Sequence, residues 1–372
     1  MSEEASLISH LRGHKASVLC LETADNSILG GNVLASGSGR RSNTIEGILD
    51  SQRFYHKEDR TCRIWDLRTG KAAKAIRGLD SEVTSVCFPT KTTGLSLYVA
   101  SGNKIAINDK DKYLATADDN GKVKVGASRV SLSTDHVPLR LVFCSTHPSI
   151  AVDLETHQLH KQFRTQHDNV YDFLASMIRH CVRQHFLSGG MDSHLIQWDF
   201  SRGAPTQIWD MTVSADESTT SQLFNPPFVY SIVTSNDGRV VAAGLGDGSV
   251  KVLKTQAAST GKKGGKAALA GSEWTEWRLE GGHGCAVVGI SAVRSFIPTP
   301  IHRLISASTD VTLCLWDLSN HDPPSSPAVT LAADASLRKC NALAVAQQRV
   351  YVAGVGRKVG EEGVIAVYKV QW

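Results

Sequence analysis

Ile64-Trp65-Asp66-Leu67 recurs in near copies as Gln197-Trp198-Asp199-Phe200 and Leu315-Trp316-Asp317-Leu318. Each copy has an Asp six residues before its Trp, at Asp59, Asp192 and Asp310. Each also has an upstream His in a Gly-His or Gln-His pair, at His14, His167 and His283. Small residues precede the Asp, as in Ser188-Gly189-Gly190 and Ser306-Ala307-Ser308. A lone Trp-Asp dipeptide carries no information, but three with matched offsets define an internal repeat. A repeat restricts the chain to architectures that stack like units. Within each unit the text reads as a strand ending in small residues, a tight turn carrying Asp, an alternating apolar strand, and Trp-Asp, so the expected fold class is all-β.

The offsets have a physical reason in a buried polar cluster. A turn Asp can accept a hydrogen bond from the His imidazole, and a small hydroxyl residue with the Trp indole N–H completes the set, leaving few unsatisfied buried groups. The pattern resembles the WD-repeat family, whose Gly-His and Trp-Asp bracket one four-stranded propeller blade. That resemblance implies a seven-bladed β-propeller over residues 1–372, with residues 5–11 as the outer strand of the last blade. Within the family it is carried further by residues 114–124, 223–232 and 246–252, and it covers most of the chain.

Two stretches break the repeat, and blades two and three are irregular. His14 to Asp59 spans 45 residues, whereas His167 to Asp192 spans 25 and His283 to Asp310 spans 27. Residues 39–57 lie where the first turn should be; omitting them joins Ser38 to Glu58 and restores the spacing. Residues 126–151 show no strand period, and omitting them would put Val152-Asp153 after Val125. Both stretches read as retained introns or gene-model errors, the rival for the first being a genuine hairpin-tip loop. In blade two, Asn108-Asp109 stands where Trp-Asp belongs, and an outer strand and the next inner strand are expected to be missing before Tyr113. In blade five the turn Asp is Asp247 and Leu253 replaces the Trp. Residues 255–272, containing Gly261-Lys262-Lys263-Gly264-Gly265-Lys266, read as a flexible basic loop.

The net charge of +4, from 40 basic and 36 acidic residues, makes no case for a nucleic-acid surface. Eight Cys without ligand spacing read as core thiols of a reducing compartment. No apolar h-region opens the chain, and no run approaches the roughly 20 apolar residues of a spanning helix. The expectation is a monomeric cytoplasmic or nuclear protein that binds neither membrane nor nucleic acid. A His–Asp pair that recurs once per repeat is structural rather than catalytic. With no phosphate-cradling loop, nucleophile elbow or metal-ligand cluster, the expectation is a non-enzymatic scaffold without a cofactor.

One surface feature separates the copies. Asp66-Leu67-Arg68 extends the first Trp-Asp into Trp-Asp-x-Arg, whereas the others continue to Ser201 and Ser319. In the family resembled, Trp-Asp-x-Arg marks substrate receptors that dock onto the DNA-damage-binding adaptor of cullin–RING ubiquitin ligases. The resemblance therefore implies such a role here, with Arg68 and Asp66 as the partner-binding residues. The alternative is a general assembly platform with no ligase link.

Overall fold

A computed structural model of the chain describes residues 5–26, 31–39, 59–77, 79, 82–88, 97–101, 104–106, 113–117, 123–127, 139–143, 159–162, 185–199, 202, 204–212, 225–235, 238–255, 274–292, 303–320, 322–346, 348–357 and 363–370. Among them there is no helix; the regular structure is all strand. After β1 (Ala5–Arg12), the strands β2 (Val18–Asn26), β3 (Gly31–Ser38), β4 (Cys62–Asp66) and β5 (Lys71–Ile76) form the first sheet, and β6 (Val83–Cys87), β7 (Tyr98–Ser101) and β8 (Lys104–Ala106) the second. The third combines β9 (Tyr113–Ala117), β10 (Val123–Ala127), β11 (Leu139–Phe143) and β12 (Leu159–Gln162) in the order β11-β9-β10-β12. The fourth has β13 (His185–Gly189), β14 (His194–Asp199) and β15 (Ala204–Asp210). The fifth has β16 (Val229–Thr234), β17 (Val240–Leu245), β18 (Val250–Thr255) and β19 (Trp274–Leu279). The sixth has β20 (Val287–Ala292), β21 (Arg303–Ser308), β22 (Thr312–Asp317) and β23 (Val329–Ala332). The seventh joins β24 (Leu337–Ala346), β25 (Arg349–Gly356) and β26 (Gly363–Val370) to β1.

The chain divides into two compact units, one from Met1–Asp109, Val142–Thr146 and Ala332–Trp372, the other from Lys110–Leu141 and His147–Leu331. In the first unit β1 lies antiparallel to β26, with Ala5 opposite Val370 and Leu11 opposite Ile365. The expected outer strand of the last repeat is therefore where the resemblance placed it. One apolar cluster of this unit joins Leu11, Val18, Leu34 and Trp65 to Tyr351, Ile365 and Val367. A second joins Val33, Cys62 and Ile64 to Val83, Val86 and Val99. In the second unit, one cluster packs Leu187, Leu195 and Trp209 against Val229, Ile232 and Leu253, and another packs Val240, Val252 and Trp277 against Val287, Leu304 and Trp316. Each buried Val or Leu contributes about 1.5–3 kcal/mol. Middle strands such as β17 are buried on both faces, whereas the outer strand β5 is largely exposed.

Glycines on the second strands permit this packing. A Cβ on Gly37 would lie 2.3 Å from Val83 Cγ1, and one on Gly189 would lie 2.5 Å from Val229 Cγ1. Both valines are the first strand residues of the following sheet and are essentially fully buried. The small residues before the turn Asp thus serve the contact between neighbouring sheets.

The second sheet has only its first three strands among the described residues, and residues 107–112, where an outer strand was expected to be missing, lie outside them. The third departs from the sequence reading. Residues 126–151 show no strand period, yet they contribute Leu139–Phe143 beside β9, and Leu159–Gln162 rather than residues 152–156 pairs with β10. The backbone demand for ladder partners outweighs side-chain alternation there. Residues 40–58 lie outside the described residues, but the strands flanking them pair as one hairpin, Ser38 N–H donating to Thr61 O at 3.0 Å. Of residues 255–272 only Thr255, the end of β18, is described.

Candidate functional site

In the first sheet the structure brings His14, Asp59 and Trp65 together. His14 ends the approach to β2, Asp59 precedes β4, and Trp65 lies on β4 opposite Leu34. Trp65 Nε1–H donates to Ser36 Oγ at 2.8 Å, and that hydroxyl lies 2.7 Å from His14 Nε2. His14 Nδ1 is 2.9 Å from Asp59 Oδ2, which also accepts the Lys15 backbone N–H at 2.7 Å. Thr61 Oγ1 donates to Asp59 Oδ1 at 2.9 Å. The chain of donors is satisfied if the imidazole is neutral, its Nδ1–H on Asp59 and its Nε2 accepting from Ser36. Burial lowers the His14 pKa against the opposing pull of Asp59. For Asp59, burial acts upward but is outweighed by the bonds from His14, Lys15 and Thr61, which hold it at about 2.

The sixth sheet repeats the arrangement with one change. Trp316 Nε1–H donates to Ser306 Oγ at 2.8 Å, and His283 Nε2 is 2.7 Å from the same oxygen. His283 Nδ1 meets Thr312 Oγ1 at 2.5 Å, and Thr312 donates in turn to Asp310 Oδ1. Asp310 therefore reaches its His through a threonine rather than directly, and its Oδ2 accepts the Gly284 N–H at 2.7 Å. Burial brings His283 down to about 4, the charge of Asp310 opposing. The sequence reading named the Asp and passed over the residue two beyond it. That residue accounts for much of the turn: the backbone N–H groups of His194, Ser249 and Thr312 each donate to the preceding Asp Oδ1, at 3.1, 3.0 and 2.9 Å. The intervening residue adopts positive φ in all four turns, at Arg60, Ser193, Gly248 and Val311.

In the fourth sheet Trp198 donates to Ser188 Oγ at 2.8 Å, and Asp192 lies 3.6 Å from His194 Nδ1. His167 lies outside the described residues. The fifth sheet has an apolar substitute. Leu253 stands at the Trp place and Ala243 at the Ser place, both buried in one cluster, so donor and acceptor are removed together and neither is orphaned. Its turn Asp247 is met instead by Arg278 from β19, which also donates to Met211 O at 3.1 Å and Glu280 at 2.8 Å. Nothing in the repeat spacing announces Arg278; only strand pairing of β18 with β19 delivers it. Among the described residues no group of three His, Cys, Asp or Glu side chains is placed to hold a metal ion.

The predicted partner-binding pair sits at the end of β4. Arg68 is 66% exposed, with its backbone N–H on Asp66 Oδ1 at 2.9 Å and its Nη2 at 3.3 Å from Asp66 Oδ2. Both bonds hold the Asp66 carboxyl below the usual carboxylate range, the backbone bond first. The structure adds a counterpart the sequence reading missed: Arg202, 80% exposed, lies 3.5 Å from Asp199 Oδ2, with its N–H on Asp199 Oδ1 at 3.0 Å. It escaped because it follows Trp-Asp by one residue more than Arg68 does.

The family model for the WD domain, G-beta repeat, matches residues 217–253. Those residues hold β16, β17 and most of β18, in a sheet without Trp-Asp, so the match rests on other positions of the repeat. The chain is also similar, at 26% identity over 260 residues, to the WD repeat-containing protein 53 homolog of Dictyostelium discoideum, a match covering 65% of this chain and 63% of that protein. The chain thus spans under two thirds of that relative's length. The Ser–Trp bond is thus built alike in three sheets, and a WD-domain, G-beta repeat matches the strands of a fourth.

Proposed function

We propose that this chain is a non-enzymatic protein–protein interaction scaffold on a closed seven-bladed propeller, and that it serves as a substrate receptor docking onto the DNA-damage-binding adaptor of a cullin–RING ligase through Arg68. The carrying observation is the geometry of Arg68: a largely exposed guanidinium held in a fixed turn by Asp66. A planar guanidinium so placed can pair bidentately with a carboxylate or cap a carbonyl on a partner. The pairing of β1 with β26 supports closure, since it supplies an end sheet with a fourth strand from the other end of the chain. Buried thiols at Cys62, Cys314 and Cys340 support residence in the cytoplasm or nucleus.

A general assembly platform is the second reading, and Arg202 favours it. The same Asp-held arginine arises at Asp199, outside the Trp-Asp-x-Arg spacing, as ordinary turn chemistry. Capture of the purified adaptor by wild-type protein and by Arg68→Ala decides between them. Recovery that falls at least tenfold in the variant supports the receptor role; equal recovery, or none from either, leaves the general platform.

A further inference from the structure

The outer strand β5 carries an unusual charge arrangement. Residues 67–77 contain Arg68, Lys71, Lys74 and Arg77 and no carboxylate. Lys71, Lys74 and Arg77 are all exposed, as are Ala72 and Ala73 between them, while Ile76 turns inward onto the apolar cluster of the first unit. β5 pairs on one side only, with Asp66 opposite Lys71, Ile64 opposite Lys74 and Cys62 opposite Ile76. Among the described residues no strand pairs with its other side.

Cations of the fifth sheet, Lys251 and Arg278, are neutralised within that sheet. On β18 and β19, Lys251 pairs with Glu276 at 2.8 Å, and Arg278 pairs with Asp247 and Glu280. Beside β15, Arg202 pairs with Asp199. Among the described residues the side chains of Lys71, Lys74 and Arg77 make no ion pair or hydrogen bond. Like charges in a row repel, and the carboxylate opposite them in register, Asp66, is engaged by Arg68.

We infer that the outer edge of β5 is a docking strip for an acidic, extended segment of a partner protein. Cations three residues apart lie about 10 Å apart along a strand. A partner segment with carboxylates at the same interval, laid along β5, would meet Lys71, Lys74 and Arg77 in turn. The small side chains between them keep the strip flat enough for such a segment to approach. No aromatic residue lies on the exposed run to stack a base, which favours an acidic polypeptide over single-stranded nucleic acid. Lysines on a sheet edge also discourage self-pairing. Charge reversal separates the two roles, because an acidic edge still repels a second copy of itself.

This inference does not rest on the adaptor reading. The test is fluorescence anisotropy of the full chain with a labelled twelve-residue peptide, four copies of Glu-Ser-Val, against wild type and the Lys71→Glu/Lys74→Glu/Arg77→Glu variant. Circular dichroism monitors folding, and Lys71→Gln and Lys74→Gln stand in if the triple variant does not fold. Expected are binding by wild type that weakens with salt, a loss of at least tenfold in the triple variant, and a graded loss in the single ones. Equal affinity for the Gln-for-Glu peptide, unchanged binding by the variants, no binding by wild type, or tighter binding of an oligonucleotide of equal charge would each overturn the proposal. Failure here with adaptor capture intact removes only the β5 strip; the converse removes only the adaptor reading.

Discussion

Trp316 and Ser306 share one hydrogen bond of 2.8 Å in the interior of the sixth sheet, and the same serine oxygen lies 2.7 Å from His283. Removing the hydroxyl by Ser306→Ala orphans an indole N–H and an imidazole nitrogen at once. The expected cost is about 2–3 kcal/mol, read from urea unfolding. Trp316→Leu alone costs more, through its cavity, but the double variant reproduces the Ala243–Leu253 pair of the fifth sheet and should cost clearly less than the two single changes added. Simple additivity would show that the serine and the tryptophan act independently.

Arg278 and Asp247 replace the His–Asp pair in the fifth sheet, with side chains 17% and 4% exposed. Arg278→Met leaves a buried carboxylate without its cation. It should destabilise the protein by about 3–5 kcal/mol, and Asp247→Asn in that background should recover part of the loss. No loss in Arg278→Met would mean that the turn backbone alone satisfies Asp247.

Val311 has φ 68°, a left-handed conformation that its branched side chain disfavours, while Gly248 fills the same place in the fifth sheet. The penalty is roughly 1–2 kcal/mol, offset in part by the greater unfolded freedom of glycine. Val311→Gly should therefore stabilise the protein by about 0.5–1 kcal/mol. Calorimetry should show a Tm rise of about 1–4 °C; a fall would give the valine side-chain contacts the larger share.

His283 is held down to about 4 by burial. Its folded value lies below that of a free imidazole, near 6.5, so protonation favours the unfolded chain. Stability should be full above pH about 6.5 and decline as pH falls toward 4, with His14, lowered in the same direction, adding to the slope. Asp59, held at about 2, keeps its contribution throughout that window and loses it only in stronger acid. Urea midpoints between pH 7 and 4.5 should fall in wild type and flatten in His283→Gln. An unchanged slope in the variant would assign the pH dependence elsewhere.

The repeat spacing made much of this legible beforehand. Strands at residues 18–21, 33–38, 229–233, 240–244 and 350–354 follow from alternation and small residues, because side-chain period and turn chemistry are local. The His14–Asp59–Trp65 grouping follows from offsets alone once residues 39–57 are left out of the count. Arg278, Thr312 and Arg202 were not legible. Arg278 reaches Asp247 from a strand beyond residues 256–273, Thr312 acts as a relay between two residues already chosen, and Arg202 breaks the spacing that made Arg68 visible.

By itself, then, the sequence determined the unit: where most strands run, where each turn places its Asp, and that a Trp and a small hydroxyl complete the cluster. Tertiary structure decided partnerships between segments distant in the chain: Leu139–Phe143 beside β9, and an arginine in place of a histidine at Asp247. The reason is physical. Turn and side-chain periodicity are set by neighbours a few residues apart, whereas a free sheet edge or a buried carboxylate is satisfied by whatever group the folded chain brings within hydrogen-bonding distance.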